Sequence, residues 1–467
     1  MEPVCYNSTR MVTPRIVPRA EHSLSRRQID PDALKVLNRL RHFGHVAYLV
    51  GGSVRDLLLG RTPKDFDLGT SAHPYEVKRA FRNCWIVGRR FRLAHVKFGP
   101  KTIEVATFRR QINEADLEAG PVPPADGAEG DAPTADPDAG ASRTGRDHLV
   151  QRDNEFGTPE EDAFRRDFTV NALFYDIATF SVIDYVGGLE DLQARVIRCI
   201  GEPDIRFRED PVRMLRAIVL AARLDFSIDP PILEAIRRHS SEIARSAPAR
   251  LLDEIYKILR SGAAERSFRD LAELGLLQWI APELLAARDE ALYASLAALD
   301  RYRRRFDTPP DTLTNAVLLG SVLVPAGYSG RRPPGREEDA DGRDGAEKPP
   351  HDRRRGRPAG DLRDPRTSLG ILPLARRDVE CLSQLLGLQR RLGEITATPR
   401  AKRALLYRAP FQEALAWMEI HGDAAAAEHW RRLAETSGPP EAGEQTREGP
   451  PRRRRRRRGP PRRLPMK

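Results

Sequence analysis

The sequence predicts an α+β protein: an N-terminal head with a small mixed β-sheet and helices, followed by an all-α neck, body and tail region. Short apolar runs with strand-like alternation lie before residue 187 and are separated by glycine turns. From Pro231 onward apolar residues recur at helical spacing, and no strand signal competes with them. Between Leu49 and Thr70 the chain reads LVGGSVRDLLLGRTPKDFDLGT, a strand, a glycine turn, a short helix and a second strand, and the rest of the head is organised around this unit.

A chain of 467 residues suffices for two or three domains, while 38 prolines and 34 glycines imply that part of it stays unfolded. The net charge of +11 is unevenly placed. Residues 451–467 hold nine arginines, one lysine and no acid, leaving 68 bases against 67 acids elsewhere, so the basic character belongs to a tail. Cys5, Cys84, Cys199 and Cys381 are scattered without a CxxC, which argues against structural zinc or a disulfide framework and fits a reducing cytoplasm. No apolar run reaches the length of a signal peptide core or a membrane span.

In chain order, residues 1–20 read as a disordered leader and residues 21–186 as the head. Asp30 and Pro31 are an N-cap and first helical residue, Leu34, Leu37, Leu40 and Phe43 form an apolar stripe, and Gly44 ends that helix before a Val46–Val50 strand. After the second strand of the organising unit come a helix from Pro74 to Arg82 and strands at 85–87, 93–98 and 102–108. Residues 115–147, rich in Ala, Gly, Pro, Asp and Glu, lack periodicity and read as a disordered insertion. Thr158, Pro159 and Glu161 form a capping box that opens a helix carrying EDAFRRDFTVNAL, and a hairpin turns around Ala178 and Thr179. Residues 187–275 read as a neck whose main helix starts at Asp210 and Pro211. Residues 276–326 form a helical body, with one helix over 283–303. Residues 327–366 are a second disordered stretch, residues 367–436 are helical with one helix over 402–418, and residues 437–467 are the arginine-rich tail. His351 and Asp352 fall in the second disordered stretch without partner histidines, which removes them as a phosphohydrolase metal site.

The chemistry-bearing residues follow the same order. Asp65 and Asp67 stand two apart in the second strand, so both carboxylates project from one face while Phe66 and Leu68 point to the core. That separation suits a shared divalent cation. Gly51 and Gly52 would let backbone amides approach phosphate oxygens, with Arg55 beside them. A glycine pair alone marks no more than a turn, and a DxD alone occurs on many solvated strand ends; their combination describes a metal-dependent nucleotide site. Glu104 is the one acid on its face of the TIEVATF strand and becomes a third carboxylate if that strand lies beside the DxD. Asp167 and Asn171 are four apart on the expected helix. In the neck, Arg213 and Arg216 share a face. The run Arg452, Arg453, Arg454, Arg455, Arg456, Arg457 and Arg458 reads as a flexible arm that holds RNA through phosphates, without aromatics to stack bases.

GGSVRDLLLGRTPKDFDLGT resembles the nucleotidyltransferase motif shared by tRNA CCA-adding enzymes and bacterial poly(A) polymerases, a class related to DNA polymerase beta. RRDFTVNAL and GEPDIRFREDPVRMLRAIVLAARL resemble that family's next motifs in the right order, and the likeness runs from Glu21 to Leu277. GRRFRLAHV resembles the poly(A) polymerase form, where CCA-adding enzymes show G-x-x-F-G-T. The resemblance implies transfer of AMP from ATP to RNA 3′ ends with release of pyrophosphate, and CCA addition to tRNA is the alternative. It implies two Mg2+ ions on Asp65 and Asp67, with Glu104 or Asp167 completing or supporting the cluster, and Asp167 as a catalytic-centre carboxylate. It also implies nucleotide contacts from Gly51, Gly52, Arg55, Arg166, Asn171, Asp210, Arg213 and Arg216, with Asp210 and Arg213 reading the base edge. RNA 3′ ends and ATP are the implied partners, with RNA-decay or RNA-chaperone proteins beyond them, for a monomeric cytoplasmic enzyme.

Overall fold

The structure, a computed structural model, describes residues 13–88, 92–110, 155–286, 290–329, 368–396 and 398–436. The insertion expected at 115–147, residues 330–366 of the second stretch and the tail from 437 lie outside the described residues.

The apolar runs of the head pair into one sheet. Its strands are β1 (Arg15–Val17), β2 (Ala47–Val50), β3 (Leu68–Thr70), β4 (Cys84–Val87), β5 (Leu93–Phe98), β6 (Lys101–Thr107), β7 (Leu173–Asp176) and β8 (Ser181–Asp184). They lie in the order β1-β8-β7-β2-β3-β6-β5-β4. Every neighbouring pair is antiparallel except β3 and β6, which run parallel with Leu68 opposite Val105. The sheet is therefore mixed, as the sequence predicts, and larger than expected. Its extra strand, β1, corrects the reading of residues 1–20 as a loose leader: Ile16 pairs with Ile183, and Val17 is buried. Residues 1–12 lie outside the described part.

Helix Pro31–His42 begins where Asp30 accepts from the N–H groups of Asp32 and Ala33 at 2.8 and 3.3 Å. It buries Val36, Leu37 and Leu40 under the sheet, whereas Phe43, expected in the same stripe, is exposed at the helix end. Helix Pro74–Ala80 packs beside it against β4, β5 and β6. The capping box at Thr158 and Glu161 forms in both directions and opens helix Pro159–Phe164. That helix stops before RRDFTVNAL, in contrast to the continuous helix expected. The reason is tertiary pairing: Phe168 bridges to Cys199, Thr169 donates to the Arg198 carbonyl, and Ile200 donates to that of Asp167.

The neck helix, Val212–Leu224, starts after Pro211 and ends against the head. There Arg61 donates to the terminal carbonyls of Arg223 and Leu224 at 3.1 and 3.2 Å, satisfying acceptors that a helix end leaves open. Beyond it the described residues are mainly helical, apart from short strands such as Ser227–Ile228 paired with Val196–Ile197, and one apolar core runs from Val17 to Trp430. One expected long helix is split. Residues 402–418 give Pro399–Leu406 and Phe411–His421, while the 283–303 helix is described over Pro282–Ala286 and Glu290–Arg303, with 287–289 outside the described residues. Pro410 lacks the N–H a continuous helix would need, so the chain turns there. A small hairpin, Ser368–Leu369 with Leu372–Pro373, also interrupts the helical half. Among the described residues no helix is long and apolar enough to cross a membrane.

Candidate active site

β2 delivers the chain into Gly51, whose φ of +72° lies in the left-handed region that glycine tolerates. A Cβ there would sit 2.9 Å from Arg166 Nη1, so a side chain would have to displace the end of that guanidinium, besides straining the left-handed turn. Helix Gly52–Leu58 follows. Arg55, expected at the phosphates, turns inward instead. It is buried, its Nε and Nη2 donate to Asp56 Oδ1 at 2.8 and 2.6 Å, and Nη1 donates to Asn171 Oδ1. Burial lowers its pKa, against the pull of Asp56. Arg55 thus supports the glycine turn from beneath.

Asp65 and Asp67 precede β3 rather than lying within it, although the ladder reaches back far enough for Val50 to donate to the Asp67 carbonyl at 3.0 Å. Leu68 is fully buried and Phe66 packs partly against the core, so both acids keep to the opposite, exposed side. Because β6 lies parallel beside β3, Glu104 comes next to Asp67. Although Asp67 keeps contact with solvent, the protein packed around its carboxyl, then Glu104, then Asp65 push it up to about 6, and Arg166 pulls the other way. Asp65 leans toward Lys64 at 3.7 Å, and Glu104 lies 3.7 Å from His95. Among the described residues no three acids, histidines or cysteines converge closely enough to enclose an ion. The donor set is nevertheless all carboxylate oxygen with mutually repelling charges, which is chemistry that fits a hard divalent cation.

Arg166 is held over the glycine turn by Asp162. Its Nε and Nη2 donate to Asp162 Oδ2 at 3.1 and 2.9 Å, Nη1 donates to the Asn171 carbonyl at 3.0 Å, and the guanidinium lies 5.4 Å from the centre of the Phe174 ring. Asp162 also takes Arg165 at 2.6 Å. Burial alone would raise the Asp162 carboxyl, but Arg166 and Arg165 outweigh it and hold it below the ordinary range. Arg206, itself buried, donates to the carbonyls of Arg165 and Arg166, both at 2.7 Å, and so fixes the backbone of this pair from the neck side.

Asp167 is buried away from the acid cluster and forms an ion pair with Arg216 at 2.6 Å, while its Oδ1 accepts from the Phe168 N–H at 2.9 Å and from Asn171 Nδ2 at 3.4 Å. Of the two acids weighed as the third carboxylate, the structure brings Glu104 to Asp67 and commits Asp167 to Arg216. Asn171 therefore joins Arg55 to Asp167. At the neck entrance Asp210 pairs with Arg250 at 3.0 Å, and Arg213 donates to Glu209 at 2.9 Å and to the Arg206 carbonyl at 3.1 Å. Both residues expected at the base edge stand near each other at the start of the neck helix, each with a protein partner. The arginines from Arg452 to Arg458 lie outside the described residues.

Sequence reasoning missed Asp162, Arg206 and Arg250. The first carried a signal, since it stands three and four residues before Arg165 and Arg166, the spacing of helical ion pairs. The other two act across long sequence separations that no local pattern marks.

Residues 47–198 match the family described as the Poly A polymerase head domain, and residues 225–288 match the one described as the probable RNA and SrmB-binding site of polymerase A. The chain is 50% identical to Poly(A) polymerase I of Salmonella typhi over 269 residues, covering 58% of this chain and 54% of that protein. Identity to Poly(A) polymerase I of Escherichia coli O157:H7 is 48% over the same length. The CCA-adding enzyme of Bacillus subtilis is 33% identical over 246 residues, 53% of this chain and 54% of that one. The chain thus spans about half the length of the curated relatives it matches. Among solved structures, the Bacillus stearothermophilus CCA-adding enzyme in complex with CTP shares the fold with a TM-score of 0.57 at 24% identity, covering 86% of this chain and 82% of that one.

Proposed function

We propose, for a chain that belongs through its 47–198 and 225–288 segments to the nucleotidyltransferase family of poly(A) polymerases and CCA-adding enzymes, that it adds AMP units from ATP to RNA 3′ ends. The observation that carries this reading is Asp67 beside Glu104 on the open edge of a glycine turn roofed by Arg166.

In this reading Asp65 and Asp67 hold two magnesium ions, with Glu104 completing the cluster. Magnesium held there would lower the pKa of the RNA 3′-hydroxyl and neutralise the triphosphate. The 3′-oxygen attacks the α-phosphorus, the bond to the bridging oxygen breaks, pyrophosphate leaves, and the hydroxyl proton passes to solvent. Gly51 and Gly52 give the triphosphate room, Arg166 faces it from a guanidinium whose rotation Asp162 and Phe174 restrict, and Arg55 braces the turn. Asn171, tied to Arg55 and Asp167, orients the sugar. Asp210 accepts from the exocyclic amino group of the base and Arg213 donates to its ring acceptors, which requires Arg250 and Glu209 to release them. Positioning and charge neutralisation supply the rate enhancement. We assign the protein to a reducing cytoplasm, supported by free Cys84, Cys199 and Cys381.

The test is extension of a labelled, unstructured RNA with magnesium and ATP, CTP, GTP or UTP supplied singly. A long ladder with ATP alone is expected. A tRNA lacking its 3′ end that gains two C residues and one A, with no ladder on the unstructured RNA, would replace this reading by CCA addition.

A further inference from the structure

The acids stand at the border between two halves of one sheet face. Over β2, β7 and β8 that face is closed by Val50, Phe108, Phe174 and Ile183 with Ala163 of the helix above. Over β6, β5 and β4 no described residue closes it, because the helices Pro31–His42 and Pro74–Ala80 pack on the other side, where Cys84, Ala94, Val96, Ile103 and Val105 are buried. The register runs one row of side chains across the open half: Glu104 opposite His95, and His95 opposite Trp85. Trp85 is 55% exposed on the edge strand, and Lys97 and Thr102 form an exposed pair in the next row on the same face. An indole left in solvent at the end of a row that begins with the catalytic acids is unexplained by packing.

We propose that Trp85, with His95 and Lys97, is a stacking platform for the single-stranded RNA just upstream of its 3′ end. This rests on the RNA-extension reading above. Three strand spacings separate β3 from β4, about 14 Å. At ~3.4 Å per stacked nucleotide, that places the indole within about four nucleotides of the reacting end. Ring stacking tolerates any base, and the lysine ammonium beside it suits the backbone phosphates. An RNA strand fits the row better than a protein partner does, since the row is narrow, carries one large ring and leads directly to the acids.

The experiment compares wild type with Trp85→Ala and Trp85→Phe at saturating ATP, using an oligo(A) of fifteen nucleotides and a dinucleotide as primers. Trp85→Ala is expected to raise KM for the long primer about 5- to 100-fold, with kcat and KM for ATP unchanged. Trp85→Phe should retain most of the affinity, and the dinucleotide, too short to reach the ring, should show no difference. In a Trp279→Phe background, Trp85 is the one exposed tryptophan among the described residues, so a 3′-deoxy-terminated oligo(A) should quench its fluorescence. An unchanged KM for the long primer in Trp85→Ala, or no quenching in Trp279→Phe, overturns the platform. Failure of the wild type to extend RNA at all would instead strike the underlying reading, while quenching would still report on Trp85.

Discussion

Replacing Asp67 by asparagine should stabilise the metal-free protein while abolishing its activity. In the folded state the carboxyl sits at about 6, raised first by burial and then by Glu104 and Asp65, against an ordinary 3.8. The folded protein holds this proton more tightly than the unfolded chain does, so ionising Asp67 destabilises the fold at every pH above that window. A shift of this size corresponds to ~3 kcal/mol if none of it is screened. Asp67 retains solvent contact, so the usable figure is smaller, about 1 kcal/mol. Denaturant unfolding in EDTA at pH 7.5 should therefore show Asp67→Asn more stable than wild type by about that amount, with the difference vanishing below about pH 4. Added Mg2+ should raise the stability of wild type and leave the variant unchanged. If Asp67→Asn were less stable than wild type in EDTA at pH 7.5, Asp67 would be an ordinary structural carboxylate and the repelling-cluster argument would be wrong.

Other outcomes follow from the same contacts. Gly51→Ala must force a Cβ into a left-handed turn 2.9 Å from Arg166, so kcat/KM for ATP should fall about 100-fold while RNA affinity is kept. Asp184 accepts from the backbone N–H groups of Val186, Gly187, Gly188 and Leu189 at 2.9–3.0 Å, and Asp184→Ala should lose ~3 kcal/mol or more in denaturant unfolding, with Asp184→Asn losing less. His421, pushed down to about 4 by burial and set 2.9 Å from Ser321 Oγ, binds its proton more weakly in the folded than in the unfolded state. Its contribution is complete above about pH 6.5 and is lost as the pH falls toward 4, worth ~2 to 3 kcal/mol; His421→Gln should flatten the stability profile across that window.

The head was legible because its signals are local. Asp30 with Pro31, Thr158 with Glu161, and the alternation of β5 and β6 each act within a few residues, and the structure reproduces them. The adjacency of Glu104 to the DxD segment could also be anticipated, since it needs only two strands of one face to be neighbours. What escaped depends on distant chain. β1 is a strand because β8 offers it a partner, and RRDFTVNAL leaves the helix because Cys199 and Ile200 claim its backbone. Arg55 illustrates a further limit: its position in the motif suggested solvent and phosphate, whereas its partners, Asp56 and Asn171, draw the charge inward. The split in the 402–418 helix was readable in part, as Pro410 stands in the sequence just before its second half, Phe411–His421.

Asp65 and Asp67 are proposed to carry nucleotidyl transfer to RNA. Single-turnover extension of a labelled RNA with ATP and magnesium by wild type, Asp65→Ala and Asp67→Ala, with RNA affinity measured in parallel, decides this. Each substitution should slow transfer by about 1000-fold or more and leave RNA binding within about twofold of wild type. Transfer at a wild-type rate by either variant would contradict it.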